Sequence, residues 1–209
     1  MLRSVMLIDH LIYAHPDLDV AVADLYRELG VEAGGGGKHP GRGTHNKLVS
    51  LGPRTYLELI APDPGQPPPA TPRPYGVEGI TQGGLVGWAI AVDDIEAARA
   101  SARSHGFDPG PVTDGQREDA TGRLLRWRVT ANAQVAGLIP FLISWGDTPH
   151  PAIDAPTGLS LISLSVEHPR PTEISTALAA MGADVEVRRA PHPALVARID
   201  GPRGEREIR

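Results

Sequence analysis

The chain of 209 residues contains no cysteine. Disulfide frameworks, thiol nucleophiles and thiolate zinc sites are therefore excluded. Lysine is nearly absent as well: only Lys38 and Lys47 occur, and arginine carries the remaining positive charge. We read that bias as a trait of the source genome rather than of function. Aromatic residues make up only 4%. No apolar run approaches the roughly 18 residues that a membrane helix needs. The short stretch Val5–Ile8 after Met1-Leu2-Arg3-Ser4 meets Asp9 and His10 too soon to act as a secretory signal. Excess positive charge is also missing. The net charge of −5 and the isoelectric point near 5.9 speak against nucleic acid or an anionic membrane as partner. A cytoplasmic protein is the expectation.

What is present is glycine (24) and proline (21), on an ordinary background of 41% hydrophobic and 22% charged residues. That composition implies many turns and short elements, in one sizeable domain or two small ones. The order of signals repeats. Leu7 to Ala14 reads as a strand. Asp17-Leu18-Asp19 then caps a helix with apolar positions at Val20, Ala21, Ala23, Leu25 and Leu29, and Gly30 stops it. Leu85 to Val92, Asp94-Ile95-Glu96 and Gly106 repeat the pattern, with an offset of 77 from Asp17 to Asp94. Leu161 to Val166, Pro171-Thr172-Glu173 and Gly182 repeat it again, with an offset of 153 from His15 to His168. Strand-like pieces follow each helix. After the first, a glycine-rich turn leads to Asn46–Leu51 and Thr55–Ile60. After the second come Arg123–Thr130 and Leu138–Trp145, with the polar segment Asp114–Gly122 read as a loop. After the third come Val185–Arg189 and Leu195–Asp200.

The expected fold is α+β, with repeated βαβββ units whose curved mixed sheets surround a cup. A third, shortened βαββ unit closes the chain. The expected organisation is a domain over 1–150, made of units 5–62 and 84–146 joined by a proline-rich linker 63–83, and the third unit over 158–209. The third unit could cover a sheet edge or make a homodimer contact.

The string Asp9-His10-Leu11-Ile12-Tyr13-Ala14-His15-Pro16-Asp17-Leu18-Asp19 resembles the opening of vicinal-oxygen-chelate proteins, and in particular their glyoxalase-like domain branch. His39-Pro40-Gly41-Arg42-Gly43-Thr44-His45-Asn46, Tyr56-Leu57-Glu58-Leu59-Ile60-Ala61-Pro62 and Phe141-Leu142-Ile143-Ser144-Trp145 fit the same branch. The likeness spans about residues 5–200. It implies a divalent metal in the cup, held by a His or Gln on the first strand of a unit and a Glu on its last. Such a metal stabilises an anion on a small oxygenated substrate as a Lewis acid.

On that pattern His10 and Glu58 are the candidate catalytic and metal-binding pair of unit one. Zinc, iron, manganese or nickel would suit them. The metal-free alternatives are a hydrogen-bonded histidine inside the cup, with Glu58 paired to it or to an arginine, and a general base whose imidazole Glu58 orients. Unit two departs from the pattern. Gly87 stands where a second His would map, and Ile143 or Ser144 where a second Glu would map; in the third unit Ser163 takes the place of His10. This gap argues against glyoxalase activity itself. His45 is a candidate third ligand, or Asn46 a cup residue instead, since neighbours on a strand face opposite ways. A partner chain could also complete the site.

Arg126 and Arg128 alternate with Leu125 and Trp127. They are candidate binders of an anionic substrate if the apolar face meets the helix. Trp88 and Trp145 are candidate pocket walls or core residues. His15 and His168 read as turn residues. His39, His150 and His192 lie beside prolines and read as exposed. His105 ends a helix, where a cation suits the dipole. Gly34–Gly37 before Lys38 lacks the Ser/Thr and the helix of a phosphate loop, and Gly41-Arg42-Gly43 is too little for a dinucleotide fingerprint, so no nucleotide cofactor is expected.

Three readings stand open. One is a metal-dependent lyase, isomerase or dioxygenase-type enzyme acting on a small molecule. The second is a metal-free protein that binds or sequesters one, as resistance proteins do. The third is an interaction module whose cup is filled by its own side chains.

Overall fold

A computed structural model describes residues 7–119, 122–131 and 137–209. The first two residues of the expected unit one, Val5 and Met6, lie outside the described residues, as do residues 120–121 of the expected loop.

Unit one is β1 (Ile8–Ala14), α1 (Leu18–Leu29), β2 (Gly34–His39), β3 (Thr44–Gly52) and β4 (Thr55–Pro62). Unit two is β5 (Gly84–Ala91), α2 (Ile95–Ser104), β6 (Val112–Glu118), β7 (Leu124–Thr130) and β8 (Phe141–Ser144). The helix signals hold. The Asp17 carboxylate accepts from the Asp19 and Val20 amides, and Gly30 ends α1 at φ 83°. Asp94 caps α2 by accepting from the Ala97 amide.

The two units form one eight-stranded sheet, ordered β2-β3-β4-β1-β5-β8-β7-β6. β1 runs parallel to β4 and β5 parallel to β8, while β1 and β5 pair antiparallel at the centre. The halves are thus wired alike about that central pair. The sheet curls until its edges meet. Arg117 on β6 donates to the Gly36 carbonyl on β2 over 3.0 Å. A Cβ added to Gly37 would lie 2.3 Å from the Glu118 carbonyl oxygen. Glycine at this position is what lets the two edges approach. The run expected to be a turn is therefore strand β2, and the segment expected to be a loop is strand β6. Both are edge strands whose polar or side-chain-poor sequences hide the period-2 signal.

The third segment has β9 (Ser160–His168), α3 (Pro171–Ala180), β10 (Glu186–Arg189), β11 (Ala194–Asp200) and a three-residue β12 (Arg206–Ile208). Its four-stranded sheet runs β10-β9-β11-β12, with β10 parallel to β9. In the first two units the strand after the helix does not pair with the unit's first strand: β3 and β4 stand between β2 and β1, and β7 and β8 between β6 and β5. The order of elements repeats a third time, but the wiring does not.

The main core lies on the helix side of the large sheet. Leu11, Leu57, Leu59, Trp88, Ile90 and Leu142 pack there against Leu18, Leu25 and Leu29 of α1 and Ile95 of α2. Leu164, Val166, Leu178 and Ile199 of the third segment join the same core. The opposite face of the large sheet forms the cup. Among the described residues, no helix is long and apolar enough to cross a membrane.

Candidate functional site

The cup encloses a cavity of about 750 Å³. β1 places His10 at its centre. A register shift between Ile8 and His10 breaks the alternation of the strand. Adjacent residues therefore meet: His10 Nδ1 lies 2.6 Å from Asp9 Oδ1. Asp9 is fully buried and also accepts from Trp145 Nε1 at 2.9 Å and meets His150 Nε2 at 3.1 Å. Burial alone would raise the Asp9 carboxyl, but the hydrogen bonds and charges of His10 and His150 hold it down to about 2. An ionised Asp9 can only accept, so the His10 tautomer that donates to it carries its proton on Nδ1. Its Nε2 lone pair is then directed away from Asp9, toward Glu58. Tyr56 stacks on His10 at 4.7 Å and 14°, and Phe141 meets its edge at 5.5 Å.

Glu58, on β4, brings Oε2 to 3.9 Å from His10 Nε2. Its Oε1 accepts from Asn46 Nδ2 at 2.6 Å. The Gly37 amide donates to Asn46 Oδ1 at 2.8 Å, which fixes the amide orientation. His39 Nε2 stands 4.0 Å from Glu58 Oε1 and 3.3 Å from Asn46 Nδ2, while its Nδ1 meets Thr44 Oγ1 at 2.9 Å. Burial pushes the His39 imidazole below its ordinary value, against the pull of Glu58. Burial, helped by Asp9 and Glu58, pushes the Tyr56 phenol well up.

The structure brings His10, Glu58, Asn46 and Trp145 together around the cup. It does not bring His45, which takes the opposite face of β3 from Asn46 and is absent from the cavity wall. Trp88 borders the cavity, yet its side chain is fully buried in the core and its indole donates to the Leu138 carbonyl at 3.0 Å. Arg126 and Arg128 are exposed on the outer face, where Arg128 pairs with Glu96 of α2 at 2.6 Å. Their β7 neighbours Trp127 and Val129 line the cup instead. Alternation tells which residues share a face, but not which face is concave. Ile143 faces the cup, and Ser144 turns away to donate to the Asp93 carbonyl at 3.2 Å.

His39 and His150 are not exposed: they are 8% and 7% accessible. A neighbouring proline signalled a turn, and the turn places the ring inside. Arg117 was hidden in a segment read as a loop; it is 5% accessible and lines the cup. The proline-rich linker also does more than connect. It folds over the cavity with Pro72, Arg73, Pro74 and Tyr75 in the wall. Tyr75 holds a left-handed φ of 59°, a costly conformation for a residue with a side chain.

The donor set can be compared with what a resident metal needs. His10 has the right support, since a ligating imidazole usually donates its other N–H to a carboxylate. At the unit-two positions that map to His10 and Glu58 stand Gly87 and Ile143, and neither side chain carries a donor atom. His39 already uses both ring nitrogens within the protein. Among the described residues, no group of three or more histidines and carboxylates is spaced to hold a metal ion. The side chains present do not fit a resident metal, since stable sites take three or more protein ligands.

Comparisons with known proteins agree with this architecture. The profile of a glyoxalase-like domain matches residues 8–182. A hypothetical protein from Staphylococcus aureus superposes with a TM-score of 0.64 at 18% identity, over 97% of this chain and 85% of that one. The methylmalonyl-CoA epimerase of Mycobacterium tuberculosis matches with a TM-score of 0.46 at 20% identity, over 71% and 94% of the two chains. That of Streptomyces coelicolor, as a single-residue variant in complex with 2-nitronate-propionyl-CoA, matches at 0.48 and 21%, over 71% and 100%. At such scores the two epimerases say nothing about this site. No functionally curated protein matches the sequence. With the profile covering most of the chain and the double-unit sheet in place, the chain belongs to the glyoxalase-like domain family of the vicinal-oxygen-chelate superfamily.

Proposed function

We propose that the protein binds a small oxygenated metabolite in the cup and moves a proton on it, with His10 as the general base. The observation that carries this reading is the chain of contacts Asp9–His10–Glu58 at the centre of the cavity. Asp9 holds the ring and its tautomer. Nε2 is left to take a proton from a carbon next to a carbonyl, and the electron pair moves onto the carbonyl oxygen as an enolate. The imidazolium so formed is balanced by Asp9 and Glu58, and returning the proton completes the cycle. A base of this kind contributes roughly 10²–10⁴-fold. The reading routes no step through a metal. The half-set His10 and Glu58 that the family resemblance implies as ligands acts here as the proton-transfer pair.

The test is deuterium incorporation followed by NMR in D₂O. The probes are carbonyl compounds with an exchangeable C–H, namely 2-oxobutyrate, phenylpyruvate and phenylpyruvamide, read above the buffer blank. Wild type is expected to catalyse exchange on at least one of them, with and without chelator, and His10→Ala to lose it. Exchange that survives His10→Ala, or that chelation abolishes, contradicts the reading. A protein that only sequesters its ligand would bind a probe without exchange.

A further inference from the structure

We infer that the cup selects a carboxylate carried on a planar or aromatic body, with the carboxylate on Arg117 and the body against the aromatic wall of unit two. The inference rests on the proton-transfer reading and names its substrate class.

Arg117 is a guanidinium at 5% accessibility. Among the described residues its one direct hydrogen bond goes to a neutral acceptor, the Gly36 carbonyl. Glu58 and Asp119 act on it only through space, and burial drives its proton affinity down. Most of its five N–H donors are therefore unspent. No fully enclosed side-chain nitrogen or oxygen among the described residues lacks a partner, so the free donors reach open space. Arg117 borders two cavities. In the smaller one Asp119 and Asp154 are already paired with Arg123, at 3.0 and 2.6 Å. In the cup the carboxylates are committed too: Asp9 to His10, His150 and Trp145, and Glu58 to Asn46. A buried cation without an ion-pair partner is costly, and a ligand anion would supply what the protein does not. The planar fork of arginine matches a carboxylate. Glu58 shares the cup and would repel a doubly charged phosphate more than a singly charged carboxylate.

The rest of the wall fits the body of such a ligand. Trp127 and Trp145 stand 5.4 Å apart, and Tyr75 lies 6.4 Å from Phe141. Ile139 and Ile143 complete an apolar surface beside them. Arg42 and Arg73 add positive charge around the cavity. A volume of about 750 Å³ accommodates a ring with its side chain.

The test is calorimetric titration of wild-type protein with phenylacetate, its neutral isostere phenylacetamide, and benzyl phosphate. Phenylacetate is expected to bind at least ten-fold more tightly than the other two. Arg117→Gln is expected to erase the preference, and Arg126→Gln on the outer face to keep it. The wild-type comparison needs no variant, so a misfolded Arg117→Gln leaves the test intact. Equal binding of acid and amide, tighter binding of the phosphate, or no binding of phenylacetate at millimolar concentration overturns the inference. The two readings fail separately. Acid-selective binding without His10-dependent exchange on phenylpyruvate sinks proton transfer and keeps the substrate class. Equal exchange on phenylpyruvate and phenylpyruvamide does the reverse.

Discussion

The two halves of the large sheet share one wiring and almost no cup chemistry. Unit one supplies His10, His39, Asn46, Tyr56 and Glu58, with Asp9 hydrogen-bonded behind His10 and Asn46 hydrogen-bonded to Glu58. Unit two supplies Gly87, Trp127, Phe141 and Ile143, with Thr113, Gln116 and Thr130 as its polar lining and, among the described residues, Arg117 as its one buried charge. On the helix side the halves are alike: Leu57 and Leu142 sit in the same core at 0% and 2% accessibility. Packing constrains the face that meets the helices in both units, because any void there costs stability. The cup face is freed from that constraint, so one half carries the paired acids and histidines and the other a largely apolar wall.

The comparison can be broken most sharply at His10. His10→Ala is expected to slow proton exchange by about 100-fold or more, while the same change at the unit-two counterpart, Gly87→Ala, leaves it within a few-fold. Gly87 tolerates a methyl group, since an added Cβ would lie 3.4 Å from the tip of Ile12. The core side should show no such asymmetry. Leu57→Ala and Leu142→Ala are each expected to cost about 2–5 kcal/mol in denaturant unfolding. A near-neutral result for one would mean that the halves are not packed alike.

The buried acid gives a pH signature specific to unit one. Asp9 is held at about 2 in the folded state against 3.8 for a free carboxyl. Its contribution is fully present above the free value and is lost as pH falls through the folded one, about 2 kcal/mol in all. Stability of the wild type should therefore drop between about pH 4 and pH 2, and Asp9→Asn should remove that part of the slope while lowering stability throughout. His39 adds a slope of the same sign in a higher pH range. Its folded value is depressed by burial, so its stabilisation is present above 6.5 and declines as pH falls below it. His39→Gln is expected to flatten that region. The smallest effect belongs to the outer face of β7. Arg126→Gln and Arg128→Gln should each change stability by less than about 1 kcal/mol and leave phenylacetate binding unchanged.

Local signals made the fold legible. Asp17, Asp94 and the glycines at 30, 106 and 182 announce helix ends through backbone chemistry that needs no tertiary context. The placing of His10 and Glu58 in one cup was legible through the family resemblance, and the missing second pair through Gly87 and Ile143. What stayed hidden depends on curvature and closure. Whether Arg126 or Trp127 faces the cup is decided by the sense in which the sheet curls. That Gly34–Gly37 and Asp114–Glu118 are strands is decided by the meeting of β2 and β6. Asp9 joins His10 only because of a bulge. Arg117 enters the site only because the sheet nearly closes.

The central claim is that His10 acts as a base in a cup that needs no metal. The most direct measurement is NMR-detected deuterium incorporation into phenylpyruvate, by wild type and His10→Ala, after both are stripped of metal by chelation. The account predicts exchange above the buffer blank with stripped wild type and its loss in His10→Ala. Equal exchange in both proteins, or exchange that returns only on adding a divalent metal, would contradict it.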